Sequence, residues 1–282
     1  MNNRYALPEA IARFAEEADA AHEAKPHRYS VTELLKPVRE IALARLHPDE
    51  CERDVADAIP ALLGTAVHKI LESMSEGKRA EVPVCAEIGG IEVSGRIDLV
   101  DGDAIVDWKT STVAKARKGD CSDWLRQCKA YAYLLFRQTG EICRKIRIYA
   151  ILKDWSKAAA ARQSGYPQSP VWAIEAEIRD SDYDEAERAL REKAEAAEAA
   201  IASGTLPECS PEERWDTGDK WALYKKEGDK RAAAVVDSEE EAQAANAERF
   251  GGKGSLERRP GESTKCLYYC ECAAICGRKG KE

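Results

Sequence analysis

The sequence predicts an α/β fold in which helices flank a mixed central β-sheet. Strands are indicated where apolar and polar residues alternate or β-branched residues run together, at residues 82–88, 91–100, 103–109, 145–152 and 171–178. Helices are indicated where apolar residues recur at three- and four-residue spacing, at residues 31–46, 61–75 and 122–137. Because these helices precede and interrupt the strands, we expect them to cover the sheet.

The first three strands are predicted to form a meander with tight turns. An Asp-Gly pair is a strong signal for a two-residue hairpin turn, and Asp101-Gly102 stands between the second and third strands. This turn would pair Val100 with Asp103 and Asp98 with Ile105. Since successive side chains of a strand point to opposite faces, this register decides which residues share a face.

A change in character near residue 205 predicts two parts of the chain. The Ala- and Glu-rich run at 181–202 indicates a long surface helix, which Gly204 and Pro207 close. Residues 1–205 are therefore expected to form the core, with a helical N-terminus. Residues 206–282 are expected to form a small α/β module that contains two strands, a short capped helix and a cysteine cluster.

Composition excludes several classes of protein. The chain has 282 residues, of which 44% are hydrophobic, and a net charge of −8, which argues against a protein that coats nucleic acid over its whole surface. No apolar run approaches the roughly 20 residues that span a bilayer. The acidic N-terminus has no apolar signal core, so we expect a location in the cytoplasm of a bacterium or of a phage-infected host. The segment at 251–255 lacks P-loop spacing, which predicts no nucleotide cofactor.

A local basic strip remains compatible with the negative net charge. The candidate residues are Lys115, Arg117, Lys118, Arg144, Lys145 and Arg147. Ordinary solvated surface charge explains the same residues equally well.

The segment at 95–111 contains the residues best suited to chemistry. Asp107 and Lys109 stand two apart on a predicted strand and therefore share a face, and the predicted register places Asp98 on that face, diagonal to Asp107. Two neighbouring carboxylates suit Mg²⁺ or Mn²⁺, which prefer oxygen ligands. Such an ion can polarise a phosphate and activate a bound water, while the ammonium group of Lys109 steadies negative charge. The alternative is a solvent-facing hairpin with ordinary acidic and basic residues.

Two helices supply further candidates. His68 lies four residues before Glu72 on one face of the predicted helix at 61–75, and Gln127 and Tyr131 share a face of the helix at 122–137. Each signal is weak alone, because a single helical histidine is often structural and Tyr131 could simply pack in the core.

In their order and spacing these residues resemble the RecB-like branch of the PD-(D/E)XK nuclease superfamily, especially its phage and CRISPR-associated exonucleases. The motifs are GTAVH with His68, GRID with Asp98, DWKT with Asp107 and Lys109, and the pair Gln127 and Tyr131. The resemblance covers residues 28–205 and implies a restriction-endonuclease-like core. It further implies that His68, Asp98, Asp107 and the Trp108 carbonyl bind the metal, that Lys109 is the catalytic lysine, and that Gln127 and Tyr131 contact the DNA backbone.

The ten cysteines are unevenly distributed, and four of them crowd into residues 266–276. Without an export signal, such a cluster indicates metal ligation more than disulfides, although free buried thiols remain an alternative. The resemblance implies a [4Fe–4S] cluster, and four thiolates would also suit Zn²⁺. The candidate ligands are Cys209, Cys266, Cys270 and Cys276, with Cys272 as the spare. Relatives usually supply the distant ligand from before the nuclease core, so the fourth ligand is in doubt.

The resemblance implies an exonuclease that hydrolyses DNA at its ends during recombination, replication or repair. A recombinase or a single-strand annealing protein would be a partner of such an enzyme. The alternatives are a catalytically silent DNA-binding or scaffold protein that keeps the nuclease fold, and a structure-selective endonuclease. Intact Asp98, Asp107 and Lys109 argue against the silent protein.

Overall fold

The computed structural model describes residues 1–21, 24–75 and 77–277. It divides the chain into two compact units. The first unit contains residues 1–45 and 53–206, and the second contains residues 46–52 and the chain from Pro207 onward. The short segment 46–52 therefore belongs to the second unit although it precedes most of the first in sequence.

The first unit is built on a six-stranded mixed sheet. Its strands are β1 (Arg28–Ser30), β2 (Arg79–Ile88), β3 (Ile91–Asp101), β4 (Ala104–Ser111), β5 (Lys145–Leu152) and β6 (Val171–Glu177). Their order is β1-β3-β4-β5-β6, and β2 also pairs with β3. The β1–β3 and β4–β5 pairs are parallel and the other pairs are antiparallel. The α/β class and the mixed sheet predicted from the sequence are confirmed.

Helices surround this sheet along residues 1–206. They are α1 (Glu9–Ala21), α2 (Val31–Leu34), α3 (Val38–Leu46), α4 (Ile59–Ser73), α5 (Val113–Lys118), α6 (Ser122–Thr139), α7 (Lys157–Arg162) and α8 (Asp180–Ser203). The prediction of one helix at 31–46 is wrong, because the helix is interrupted before Pro37. Proline has no N–H to donate and disfavours helical geometry in the residue before it.

Helix α6 forms the main contact between the helices and the sheet. Its residues Tyr131, Leu134 and Leu135 are buried in one hydrophobic cluster with Ile97 of β3 and Ile148 of β5. Each large apolar side chain buried in this way contributes about 1.5–3 kcal/mol. The helix ends at Gly140, whose φ of +78° suits a left-handed cap.

The hairpin between β3 and β4 turns one position later than the sequence suggested. Asp101 pairs with Ala104, so Gly102 and Asp103 form the turn, and Val100 faces Ile105 rather than Asp103. Gly102 takes the first turn position with a φ of +62°, a conformation that glycine tolerates best. Each residue of β3 therefore pairs with a residue of β4 two positions later than predicted. Because side chains alternate with a period of two, every side chain stays on its predicted face. Continuing the register by one pair places Asp98 directly opposite Asp107.

Strand β3 is the point at which the sheet forks. Along one edge it pairs with β2 from residue 91 to residue 100. On the other edge it pairs with β1 at residues 92–94 and with β4 at residues 99–101. Neither partner strand is paired with residues 95–98 on that edge. The fork therefore leaves Asp98 at an opening in the sheet.

The second unit contains a three-stranded antiparallel sheet of β7 (Lys220–Tyr224), β8 (Ala234–Val236) and β9 (Ser255–Arg259) in the order β8-β7-β9. Helices α9 (Glu239–Phe250), α10 (Thr264–Tyr268) and α11 (Ala273–Cys276) complete it. Strand β9 was not predicted, because its sequence SLERR has no apolar alternation. Among the described residues, no helix of the protein has the length and apolarity needed to cross a bilayer.

Candidate active site

Two carboxylates meet where β3 and β4 separate at the fork. Asp98 Oδ2 accepts a hydrogen bond from the Trp108 backbone N–H at 2.7 Å, which fixes the carboxylate against β4. Asp107 is only 2% exposed. The pKa of Asp107 is raised to about 6, because burial and the negative charge of Asp98 outweigh the opposing charge of the Lys109 ammonium group. The sequence-predicted pair of acids is therefore brought together.

Lys109 is held in place from two sides. Its Nζ lies 2.8 Å from Asp107 Oδ2 and donates a hydrogen bond of 2.9 Å to Gln127 Oε1. Gln127 in turn donates through Nε2 to the Tyr131 hydroxyl at 2.8 Å. The amide of Gln127 thus presents its oxygen to the lysine and its nitrogen to the tyrosine, and α6 thereby fixes the position of the Lys109 ammonium group.

Tyr131 requires a glycine on the neighbouring strand. The tyrosine side chain is buried, and a Cβ atom at Gly95 would lie 2.5 Å from its ring carbon Cε1. Only glycine leaves room for the ring at this distance. Gln127 and Tyr131 therefore form part of the network around Lys109, and their contact with DNA stays a prediction.

His68 reaches the same site from α4. Its Nε2 lies 2.8 Å from the Trp108 carbonyl oxygen, and its Nδ1 lies 3.4 Å from Asp98 Oδ1. The hydrogen bond with Asp98 raises the pKa of His68, although burial lowers it. The histidine therefore contacts both a carboxylate and the backbone carbonyl that the resemblance assigns to the metal.

Sequence reasoning missed Glu81 of β2. One ligand atom each from His68, Glu81 and Asp98 lie within 4.8 Å of one another. Glu81 precedes the strand predicted at 82–88, so alternation gave no reason to place it near Asp98. The cross-strand pairing of β2 with β3 brings the two residues face to face, and this pairing is not visible in the local sequence.

These residues fit a hard divalent cation. Carboxylate oxygens and an imidazole nitrogen are suitable ligands for Mg²⁺ or Mn²⁺. In the described part of the chain, the buried Oδ2 of Asp107 makes an ion pair with Lys109 but no hydrogen bond. Burying a carboxylate oxygen that accepts no hydrogen bond lowers the stability of the fold, and a cation bound to this oxygen would offset that loss.

The basic residues of the predicted strip differ in their surroundings. Arg144, Lys145 and Arg147 form ion pairs with Asp180, Asp103 and Asp101. Arg117 and Lys118 are exposed on α5. The second half of the predicted strip is thus neutralised by neighbouring acids, and α5 keeps exposed basic residues.

The cysteines of the second unit approach one another in two groups. Cys51 Sγ lies 2.8 Å from Cys272 Sγ, although the two are 221 positions apart in sequence. Burial raises the pKa of the Cys209 thiol, and the neighbouring Glu213, Cys276 and Cys266 raise it further. Sequence reasoning left Cys51 among the scattered cysteines and called Cys272 the spare. The position of Cys51 before most of the core was the signal that could have identified it.

Comparison with known proteins supports the family and the fold. The sequence matches the PD-(D/E)XK nuclease superfamily over residues 9–277. The structure resembles that of SSO0001, with a TM-score of 0.50 and 18% identity over 73% of this chain and 89% of the other.

Two weaker matches are exonucleases by name. An alkaline exonuclease from Laribacter hongkongensis matches with a TM-score of 0.41 and 13% identity, covering 67% of this chain and 95% of that one. A phage related exonuclease from Haemophilus somnus 129PT matches with a TM-score of 0.37 and 12% identity, covering 73% and 92%. No curated protein matches significantly. Because the family match spans most of the sequence, the chain belongs to the PD-(D/E)XK nuclease superfamily.

Proposed function

We propose that the protein is a Mg²⁺- or Mn²⁺-dependent exonuclease that hydrolyses phosphodiester bonds at DNA ends. The supporting observation is the group of Asp98, Asp107 and Lys109 at the fork of the sheet, with Lys109 Nζ 2.8 Å from Asp107. Action at DNA ends rests on the resemblance to exonucleases of the RecB-like branch.

The residues of the site have distinct roles in this reaction. Asp98, Asp107, His68 and the Trp108 carbonyl would hold the ion. When bound, the ion polarises the scissile phosphate and lowers the pKa of a coordinated water. Asp98 is held by the Trp108 N–H, so its carboxylate is oriented before the ion binds.

Lys109 stabilises the negative charge that develops on the phosphate. Its Nζ is fixed by Asp107 and by Gln127, so the charge does not need to be reoriented during the reaction. Gln127 and Tyr131 act as positioning residues for this lysine in the structure, and we propose that they also contact the DNA backbone near the cut.

Cleavage of end-labelled linear DNA tests the activity. Wild type is expected to release labelled nucleotides with Mg²⁺ or Mn²⁺ and to stop in EDTA, and Lys109→Ala is expected to lose at least about a hundredfold in rate. Lys220→Ala removes a partly exposed lysine of the second unit that pairs with Asp237 and is the matched control. If wild type binds DNA but leaves it intact with every metal, the protein is a binding or scaffold protein. Cleavage of closed circular DNA would instead indicate an endonuclease.

We propose in addition that the second unit holds a [4Fe–4S] cluster, with Cys209, Cys266, Cys270 and Cys276 as ligands. Four thiolates would also suit tetrahedral Zn²⁺. The choice of an iron–sulfur cluster over zinc rests on the resemblance to the RecB-like branch.

Metal analysis of anaerobically purified protein tests the cluster. Four iron and four sulfide per chain and a brown colour are expected, and Cys276→Ser should lose them. Cys51 lies against Cys272, so it is a second candidate for the distant ligand. If Cys209 is the distant ligand, the Cys51→Ser variant should contain as much iron as wild type. One zinc per colourless chain would contradict the proposal.

A further inference from the structure

Glu81 has an unusual backbone for a residue inside a strand. Its φ is +50°, whereas the other non-glycine residues with positive φ in the described chain, Ala6, His27 and Trp215, all lie outside strands. This left-handed conformation is disfavoured for glutamate. Ala80 pairs with Leu99 and Val82 pairs with Ile97, so the register places Glu81 opposite Asp98.

The side chain of Glu81 lies at the site and not in bulk solvent. Its relative exposure is 23%, and its Oε2 lies 3.4 Å from the Arg96 guanidinium. Arg96 is 67% exposed, and ion pairs with such an exposed partner contribute little to stability. The contact with Arg96 therefore gives no sufficient reason for a carboxylate at this position.

The distances suit a shared ion. Two ligands on opposite sides of Mg²⁺, each at about 2.1 Å, are about 4.2 Å apart. The ligand atoms of His68, Glu81 and Asp98 lie within 4.8 Å of one another. Since neighbouring ligands of an octahedral ion are about 3.0 Å apart, these atoms need to approach one another by at most about 2 Å to bind one ion.

Asp107 connects this group to the buried end of the site. Its charge influences the pKa of His68, and Asp98 influences that of Asp107, so these three side chains share one electrostatic environment. The buried Oδ2 of Asp107, which has no hydrogen bond in the described residues, is an independent indication that a cation belongs here.

We propose that Glu81 is a further ligand of the divalent cation and binds it from β2 together with His68 and Asp98. This inference rests on the proposed function, because it concerns the ion that the nuclease would use. It adds a third carboxylate to the two on β3 and β4. Glu81 thereby joins a residue of β2 to the site that the β3–β4 hairpin forms.

Mn²⁺ binding without DNA tests the proposal. The electron paramagnetic resonance signal of free Mn²⁺, followed during titration with full-length protein, gives the dissociation constant. Glu81→Gln keeps the shape of the side chain and is expected to weaken binding at least about tenfold. Glu81→Asp keeps the charge but withdraws the carboxylate by one methylene, and it should also weaken binding if Glu81 is a ligand.

The matched control is Glu87→Gln. Glu87 lies six positions further along β2, points to the same face of the strand by alternation, and is exposed. Its replacement removes the same charge and should leave the Mn²⁺ affinity unchanged. Cooperative thermal unfolding of each variant in EDTA shows that it is folded.

The outcomes separate the two proposals. If wild type binds Mn²⁺ and Glu81→Gln binds it equally well, Glu81 is not a ligand, and the proposed nuclease site stands. If Glu81→Asp and Glu87→Gln both keep the wild-type affinity for Mn²⁺, any loss of affinity in Glu81→Gln comes from the lost charge and not from a lost ligand. That result overturns the inference. If wild type binds no Mn²⁺, the proposed function itself fails.

Discussion

Replacing Asp107 by asparagine is expected to stabilise the metal-free protein at pH 8, although it removes a residue of the site. Burial raises the pKa of Asp107 from 3.8 to about 6, so the folded protein holds this carboxylate ionised at a cost. Between pH 4 and 6 the folded state binds more protons at this group than the unfolded state does. Its contribution to stability therefore falls as pH rises through this window and stays low above about pH 6.

The magnitude follows from the same pKa. A change from 3.8 to about 6 corresponds to roughly 3 kcal/mol at pH 8, since one pKa unit is worth about 1.4 kcal/mol. Asparagine has nearly the same shape without the charge, but Lys109 loses its partner. We expect a net gain between about 1 and 3 kcal/mol, which corresponds to an unfolding temperature about 2–5 °C higher for a chain of this size.

Thermal unfolding in EDTA at pH 8 and at pH 5 measures this gain. The difference between Asp107→Asn and wild type should be present at pH 8 and shrink at pH 5, where wild-type Asp107 is protonated. Glu175→Gln removes a side chain that is 77% exposed and is the control, with no gain expected at either pH. A variant less stable than wild type at pH 8, or an equal difference at both pH values, would show that the buried carboxylate of Asp107 does not destabilise the fold.

Three further predictions concern the same site. Urea unfolding should show that Gly95→Ala lowers the free energy of unfolding by about 1–3 kcal/mol, because the new Cβ would lie 2.5 Å from the Tyr131 ring. Its control is Gly64→Ala in α4, where an added Cβ would meet no other part of the protein within 4 Å, and this variant should be as stable as wild type or more stable. Gln127→Ala should lower kcat at least about tenfold and leave Mn²⁺ affinity within about twofold, because Gln127 contacts Lys109 and not the proposed metal ligands. A tenfold loss of Mn²⁺ affinity would instead place Gln127 in the metal site. Mn²⁺ affinity should fall as pH drops below about 6, where Asp107 with its raised pKa takes up a proton; calorimetry showing no change between pH 7 and pH 5 would contradict this.

Local sequence patterns predicted the parts of the fold that depend on neighbouring residues. Alternation and glycine turns located β2, β3 and β4, and helical spacing located α6. The position of the hairpin turn was wrong by one residue, because both Asp101-Gly102 and Gly102-Asp103 place a glycine in the turn. The face of Asp98 was nevertheless predicted correctly, since a shift of two pairing positions preserves it.

Contacts between distant residues were not predictable in the same way. Glu81 meets Asp98 only because β2 pairs with β3 in one register, and Cys51 meets Cys272 only after the second unit has folded. The support that Gln127 gives to Lys109 likewise depends on how α6 packs against the sheet. In each case the partner of a side chain came from a different element or a distant part of the sequence.

The most direct measurement is the anomalous diffraction of Mn²⁺ in crystals of the protein. We expect one strong peak at about 2.1 Å from carboxylate oxygens of both Asp98 and Asp107, with the ammonium group of Lys109 beside it. A fully occupied peak elsewhere on the chain, with those two carboxylates out of reach of the ion, would contradict it.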